Sequence, residues 1–185
     1  ARSTVAGEVG TVSGGSDQRF ELAPGAYHVT GSAAGYDPVS QDVTVGPDGA
    51  SVDLVVTPSA GAKIVVSRDK IDLRESIRFR TASATIDPAS FPLLDQVVTV
   101  LRDYPEIRKL RIEGHTDSRG ADATNLALST SRAASVRQYL VDHGIAGDRL
   151  TSEGFGETRP LDPSETPDAW AKNRRVDLVV ETWAE

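Results

Sequence analysis

Two side chains of opposite charge frame one loop of this sequence. Asp117 stands where an apolar-alternating run ends, and Arg132 follows fifteen positions later within a helical pattern, after seven polar or small residues, 118–124. Side chains on a helix lean toward its N-terminus, so Arg132 is predicted to reach back toward the loop that starts at Asp117. Asn125 lies about two turns earlier, roughly 10 Å back along nearly the same face. A loop between a strand end and a helix start also offers free backbone N–H groups, which favour an anion. A carboxylate and a guanidinium held apart there form a dipolar receptor. The carboxylate takes an ammonium, the guanidinium fork takes a carboxylate, and the ligand fitting both is a zwitterion, the free end of an α-amino acid. The alternative for such a pair is an internal salt bridge or loop cap of small energetic weight. Asn125 divides between capping the helix and touching the ligand.

Other chemistries find less support. The three histidines are His28, His115 and His143. His115-Thr116-Asp117 has the His-x-Asp form of a non-haem iron triad, but the downstream His143 ends a helix in an unrelated context. No Gly-x-Ser-x-Gly elbow and no His-Glu-x-x-His pair occurs, and no opposed pair of carboxylates suggests a glycosidase. No catalytic residue, metal ligand or cofactor is therefore expected, and the chain reads as non-enzymatic. Without Cys it has neither disulfides nor thiolate ligands. The formal net charge of -7, with scattered Arg and Lys, argues against a nucleic-acid partner. No run approaches the roughly eighteen apolar residues of a membrane span. Any leader or anchor is expected in a part upstream of this chain.

The elements that must position Asp117 and Arg132 lie in the second part of the sequence. Ile64-Val65-Val66 and Ile77-Arg78-Phe79 read as strands, with Asp69 to Glu75 as the connection. Asp87-Pro88 opens a helix, the Asp as N-cap and the Pro at the first position. Phe91, Leu94, Val97, Val98 and Leu101 then mark its buried face. Leu110 and Ile112 alternate with Arg111 and Glu113 in a half-buried strand ending at Gly114-His115-Thr116-Asp117. A second helix starts near Asp122 or Thr124, carries the stripe Leu126, Ser129, Ala133, Val136, Leu140, and stops at Gly144. A strand at Leu150 to Phe155, a turn-rich insertion holding Trp170 and a last strand at Val176 to Glu181 follow. The order βαβαββ predicts an α+β fold, a mixed sheet with both helices on one face. Arg174 and Arg175 should alternate along the last strand.

Residues 1–57 read as strands only, broken by turn signals at Ser13-Gly14-Gly15, Pro24-Gly25, Gly35-Tyr36 and Asp48-Gly49. This predicts a small all-β, sandwich-like module with Tyr27 and Tyr36 in its core. It is joined by a linker, 58–63, to a second domain, 64–185. The order LAPGAYHVTGSAAGYDPVSQDVTVGPDGASVDLVV resembles PEGA-like and carboxypeptidase-regulatory-like modules. A spacer or docking role suits a unit near the lower size limit for an independent core.

In the second part, EGHTDSRGADATNLALSTSRAASVRQYL, then RLTSEGFGETRP and NRRVDLVV, resembles the OmpA-like C-terminal domain over about residues 64–182. That family is the peptidoglycan-anchoring module of outer-membrane proteins, Pal-type lipoproteins and flagellar-motor stator proteins. The resemblance implies binding of the diaminopimelate zwitterion of a peptidoglycan stem peptide in the periplasm. It places the His-Thr-Asp acid on Asp117, the Leu-Ser-x-x-Arg-Ala arginine on Arg132, the loop asparagine on Asn125 and the pocket member of Asn-Arg-Arg on Arg174. It also implies that the strand end at Phe79 to Ser83, with Thr81 and Ala82, borders the groove. Where family members often read Phe-Asp-Phe-Asp, this sequence has Phe79-Arg80-Thr81-Ala82, losing two acids and gaining Arg80. The expected function is anchoring an outer-membrane or envelope protein to the wall, with the tether outside this chain. The second reading is an interaction module that binds an envelope protein partner or forms a homodimer.

Overall fold

The computed structural model describes residues 2–5, 10–13, 20–33 and 35–184, and the chain divides into two compact units, 1–66 and 67–185. In the first, β1 (Arg2–Val5), β2 (Gly10–Ser13), β3 (Gly25–Ser32) and β4 (Val39–Val45) form one antiparallel sheet in the order β2-β1-β3-β4. Among the described residues this single sheet stands where two facing sheets were expected. Tyr27 and Tyr36 are half-buried rather than central, while Val29 is buried. Gly14 and Gly15 of the first turn signal lie outside the described residues. Residues 50–57 form no strand, and Val55 is 79% exposed, so its alternation has no sheet to pack on. A buried strand, β5 (Ile64–Val66), ends the unit.

The second unit holds β6 (Lys70–Leu73), α1 (Phe91–Asp103), β7 (Ile107–Gly114), α2 (Asp122–Asp142), β8 (Leu150–Gly154), α3 (Pro167–Asn173) and β9 (Val176–Trp183). Within this unit the strands of its sheet run β6-β9-β7-β8. β7 and β8 are parallel, as strands joined through a crossover helix are, and β9 is antiparallel to both its neighbours. This is the mixed α+β sheet that the alternating strand and helix patterns predict.

Three elements differ from expectation. Residues 77–79 form no strand; Phe79 only bridges Ile86, and the chain between them makes a tight turn with Ala82 at φ 48°. The strand instead forms at Lys70–Leu73, where a connection was expected, because its partner is the distant β9. The insertion holding Trp170 contains a third helix, so this unit reads β-α-β-α-β-α-β rather than βαβαββ. Thr166-Pro167 starts α3 as Asp87-Pro88 starts the first, the Thr166 hydroxyl accepting from Ala169 N–H.

The first helix begins as expected, with Asp87 accepting from Ala89 N–H at 2.9 Å and Pro88 opening a 3-10 turn that runs into α1. Leu94, Val97, Val98 and Leu101 are buried, and Phe91 stacks on Tyr139 of α2 at 5.3 Å between centroids. The buried row of α2 is Asn125, Ser129, Ala133, Val136 and Leu140, while Leu126 is 50% exposed. The row starts one residue earlier than its apolar members suggest, because the amide of Asn125 has polar partners inside.

Two glycines set the depth of α2. A Cβ on Gly114 would lie 2.2 Å from the Ser129 carbonyl oxygen, and one on Gly154 would lie 2.2 Å from the Thr130 nitrogen. The helix backbone therefore rests directly on the last residues of β7 and β8. That contact brings the loop after Gly114 and the middle of α2 to one end of the sheet. Among the described residues no helix is long and apolar enough to cross a membrane.

Candidate functional site

The loop leaving β7 is pinned before it reaches Asp117. His115 N–H donates to the Arg175 carbonyl at 3.0 Å and Thr116 N–H to the Gly156 carbonyl at 2.8 Å. Gly156 N–H in turn donates to the Ser129 hydroxyl of α2 at 2.9 Å. Ser129 is thus a packing residue that also ties the two loops at this end of the sheet.

Asp117 is 6% exposed, and every donor to its carboxylate belongs to an arginine. Oδ1 accepts from Arg119 N–H at 3.1 Å and Arg119 Nε at 3.3 Å; Oδ2 accepts from Arg119 Nη2 at 2.9 Å and Arg174 Nη1 at 2.7 Å. Burial alone would raise the carboxyl's pKa, but the hydrogen bonds from Arg119 and Arg174 outweigh it and hold the value at about 2. Arg119 was not singled out by the sequence reasoning. The available signal was Asp-Ser-Arg-Gly, in which an Asp accepts the backbone N–H two residues on and so folds the next side chain over itself.

Arg132 approaches this pocket without joining Asp117. Its Nε donates to the Ser83 carbonyl at 3.0 Å, and its guanidinium lies 5.0 Å from the centre of the Phe79 ring. Burial and the neighbouring Arg174 lower its pKa, while Asp117 opposes them. The three groups therefore share one electrostatic environment. The turn of residues 79–86, bordering the pocket in place of a strand end, carries Thr81 and Ala82 on its exposed tip. Its contact with Arg132 runs through Phe79 and Ser83.

Asn125 is buried and does not cap α2, whose N-cap is Ala121. Its amide donates to the carbonyls of Asp117 at 3.3 Å and Arg119 at 3.1 Å, and to Glu157 Oε2 at 2.5 Å. It holds the loop from behind. Arg174 and Arg175 do not alternate along a strand: Arg174 caps the C-terminus of α3, ahead of β9. Arg174 nevertheless turns to Asp117, and Arg175 turns away to Asp177 Oδ2 at 2.8 Å. Asn173 is structural, its Oδ1 accepting from Leu161 and Asp162 N–H groups. Trp170, on α3, lies beneath Arg119 with the guanidinium 4.5 Å from the ring centre.

His115 does not act with Asp117. Its ring stacks on Phe155, and Nε2 faces Glu113 at 3.6 Å and Asp177 at 3.4 Å. Burial and Arg175 lower its pKa. Glu113, His115 and Asp177 bring ligand atoms within 4.8 Å of one another, a spacing that a metal ion could span. Arg111 and Arg159 face Glu113, however, and Arg175 holds Asp177, so a divalent cation would enter positive surroundings. The two carboxylates serve the arginines.

A mixed sheet with helices packed on it carries, at the strand ends, a cluster of charged side chains in which the buried Asp117 carboxylate is held by two arginines. The chain belongs to the OmpA family, whose pattern matches residues 78–174. The family is a non-catalytic one, with which a non-enzymatic function is consistent. It is similar to the peptidoglycan-binding protein ArfA of Mycobacterium tuberculosis, 39% identical over 104 residues that make up 56% of this chain and 32% of the relative. It is also similar to the probable lipoprotein YiaD of Escherichia coli, 34% identical over 65% of this chain and 55% of that protein. The chain thus spans about a third to a half of the length of these relatives. Among solved structures, the cell wall anchor of the T6SS from Pseudomonas aeruginosa is 30% identical with a TM-score of 0.55, covering 66% of this chain and 89% of that one. The peptidoglycan-associated lipoprotein of Burkholderia pseudomallei is 33% identical with a TM-score of 0.52, covering 57% and 89%.

Proposed function

We propose that this protein binds peptidoglycan non-covalently in the periplasm and anchors an outer-membrane or envelope assembly to it. Its ligand is the diaminopimelate end of an uncrosslinked stem peptide. Asp117 receives the ammonium, and Arg132, with Arg174, receives the carboxylate. Thr81 and Ala82 border the peptide, and Asn125 holds the loop that carries Asp117. Residues 1–57 act as a spacer or docking module for whatever lies upstream.

The observation that carries this reading is that Arg132 donates to the Ser83 carbonyl and not to Asp117. Acid and base are therefore not paired with each other, which supports a zwitterionic guest that meets both. The names of the mycobacterial relative and the Burkholderia lipoprotein point to the same polymer. Charge-assisted contacts in a wet groove also suit a reversible grip.

Sedimentation with purified sacculi tests the reading. Asp117→Ala and Arg132→Ala should each remove most of the bound fraction while the far-UV spectrum stays unchanged. Undiminished co-sedimentation of both variants would remove these residues from the site.

A further inference from the structure

The carboxylate meant for a ligand's ammonium is fully occupied. A carboxylate offers about four lone-pair positions, and those of Asp117 are met by three donors of Arg119 and one of Arg174. An incoming ammonium must displace one of them. Arg119 is the more readily displaced, because its side chain is 57% exposed and its guanidinium already lies 4.5 Å from the centre of the Trp170 ring, which can hold it by cation–π attraction. Once released, it is a third guanidinium at the pocket, beside Arg132 and Arg174, in search of an anion.

Two guanidiniums, of Arg119 and Arg174, bond the one carboxylate of Asp117, that of Arg132 shares its electrostatic environment, and Arg80 sits on the adjoining turn. A zwitterion alone, having no net charge, does not balance these guanidiniums.

We propose that Arg119 is a specificity-determining residue, which makes the pocket select a peptide end bearing one ammonium and several free carboxylates and reject the corresponding carboxamide. This deepens, and rests on, the stem-peptide reading above. An N-acylated stem tetrapeptide ending in D-Ala fits, with one diaminopimelate ammonium and carboxylates on D-Glu, diaminopimelate and the terminal D-Ala. Amidation of the D-Glu carboxyl removes one of those charges while leaving the diaminopimelate zwitterion whole, and crosslinking removes the ammonium.

Calorimetric titration of this chain with N-acetyl-L-Ala-γ-D-Glu-meso-diaminopimelyl-D-Ala, and with the same peptide carrying a D-Glu α-carboxamide, tests the proposal, because the diaminopimelate zwitterion is unchanged between the two. The acid should bind about tenfold more tightly than the amide, the worth of one charge-assisted contact. The ratio should fall to about a third of its value in Arg119→Gln and be retained in Arg119→Lys, which keeps the charge. Equal binding of both peptides, or an unchanged ratio in Arg119→Gln, would overturn the role of Arg119 while leaving the stem-peptide reading intact. Binding of neither peptide would remove both.

Discussion

Asp117 and Arg132 share one electrostatic environment and form no ion pair: the acid is held by Arg119 and Arg174, and the base by the Ser83 carbonyl. Each charge is satisfied by a group that a ligand can replace or supplement. The scaffold keeping them apart is the direct seating of α2 on β7 and β8, which sets Arg132 against the turn of residues 79–86 rather than against the loop acid.

The depressed pKa of Asp117 has a stability consequence of definite sign. Its folded value of about 2 lies below the ordinary 3.8, so the ionised form stabilises the fold above about pH 4, and that contribution is lost as pH falls toward 2. Its partners are half-exposed, which limits the effect to about 1–2 kcal/mol. Urea midpoints of the native protein and Asp117→Asn should differ at pH 5 and converge by pH 2. A difference that persists at pH 2 would contradict the pairing.

Gly114→Ala and Gly154→Ala should each destabilise the fold by about 2–4 kcal/mol, since a methyl group there meets helix backbone that cannot move aside. Thermal unfolding would register this as a lowered Tm for both. A neutral result at either would mean that α2 does not rest on the sheet as described.

Asn125 faces two carbonyls and a carboxylate, all acceptors. Its replacement by Ala should cost about 1–3 kcal/mol. Asn125→Asp should cost more at pH 7, because it sets a carboxylate against Glu157 with no donor to offer. Equal stability of the two variants in denaturant titrations would argue against that orientation of the amide.

Arg132→Lys keeps the charge but loses the planar group that bonds the Ser83 carbonyl while lying over Phe79. Affinity for the stem peptide should fall about tenfold by calorimetry. Wild-type affinity would mean that charge alone suffices.

Much of this arrangement was legible in the residues themselves. The periodicity of the helices, the Asp87-Pro88 start and the alternation through Leu110 and Ile112 are local signals, because each reports which face of one element is buried. That Asp117 ends one element and Arg132 stands on the next helix is also local information, but the reach of Arg132 toward the Asp117 loop is not what its Nε does: it turns to the Ser83 carbonyl. Less legible were β6, which pairs with a strand more than a hundred residues away, the short helix α3, and the absence of a strand at residues 77–79.

By itself the sequence determined the two long helices, which residue types meet at the loop after β7, and that no thiol or established catalytic motif is at hand. Tertiary structure alone decided that Arg119 and Arg174 occupy Asp117, that Arg132 turns to Ser83, that Asn125 serves the loop and not the helix start, and that Trp170 lies under Arg119. The reason is range. Helical periodicity and capping are set by neighbours within a turn or two, whereas the partner of a charged side chain is chosen among all the donors and acceptors that packing delivers to it, here from four separate segments of the chain.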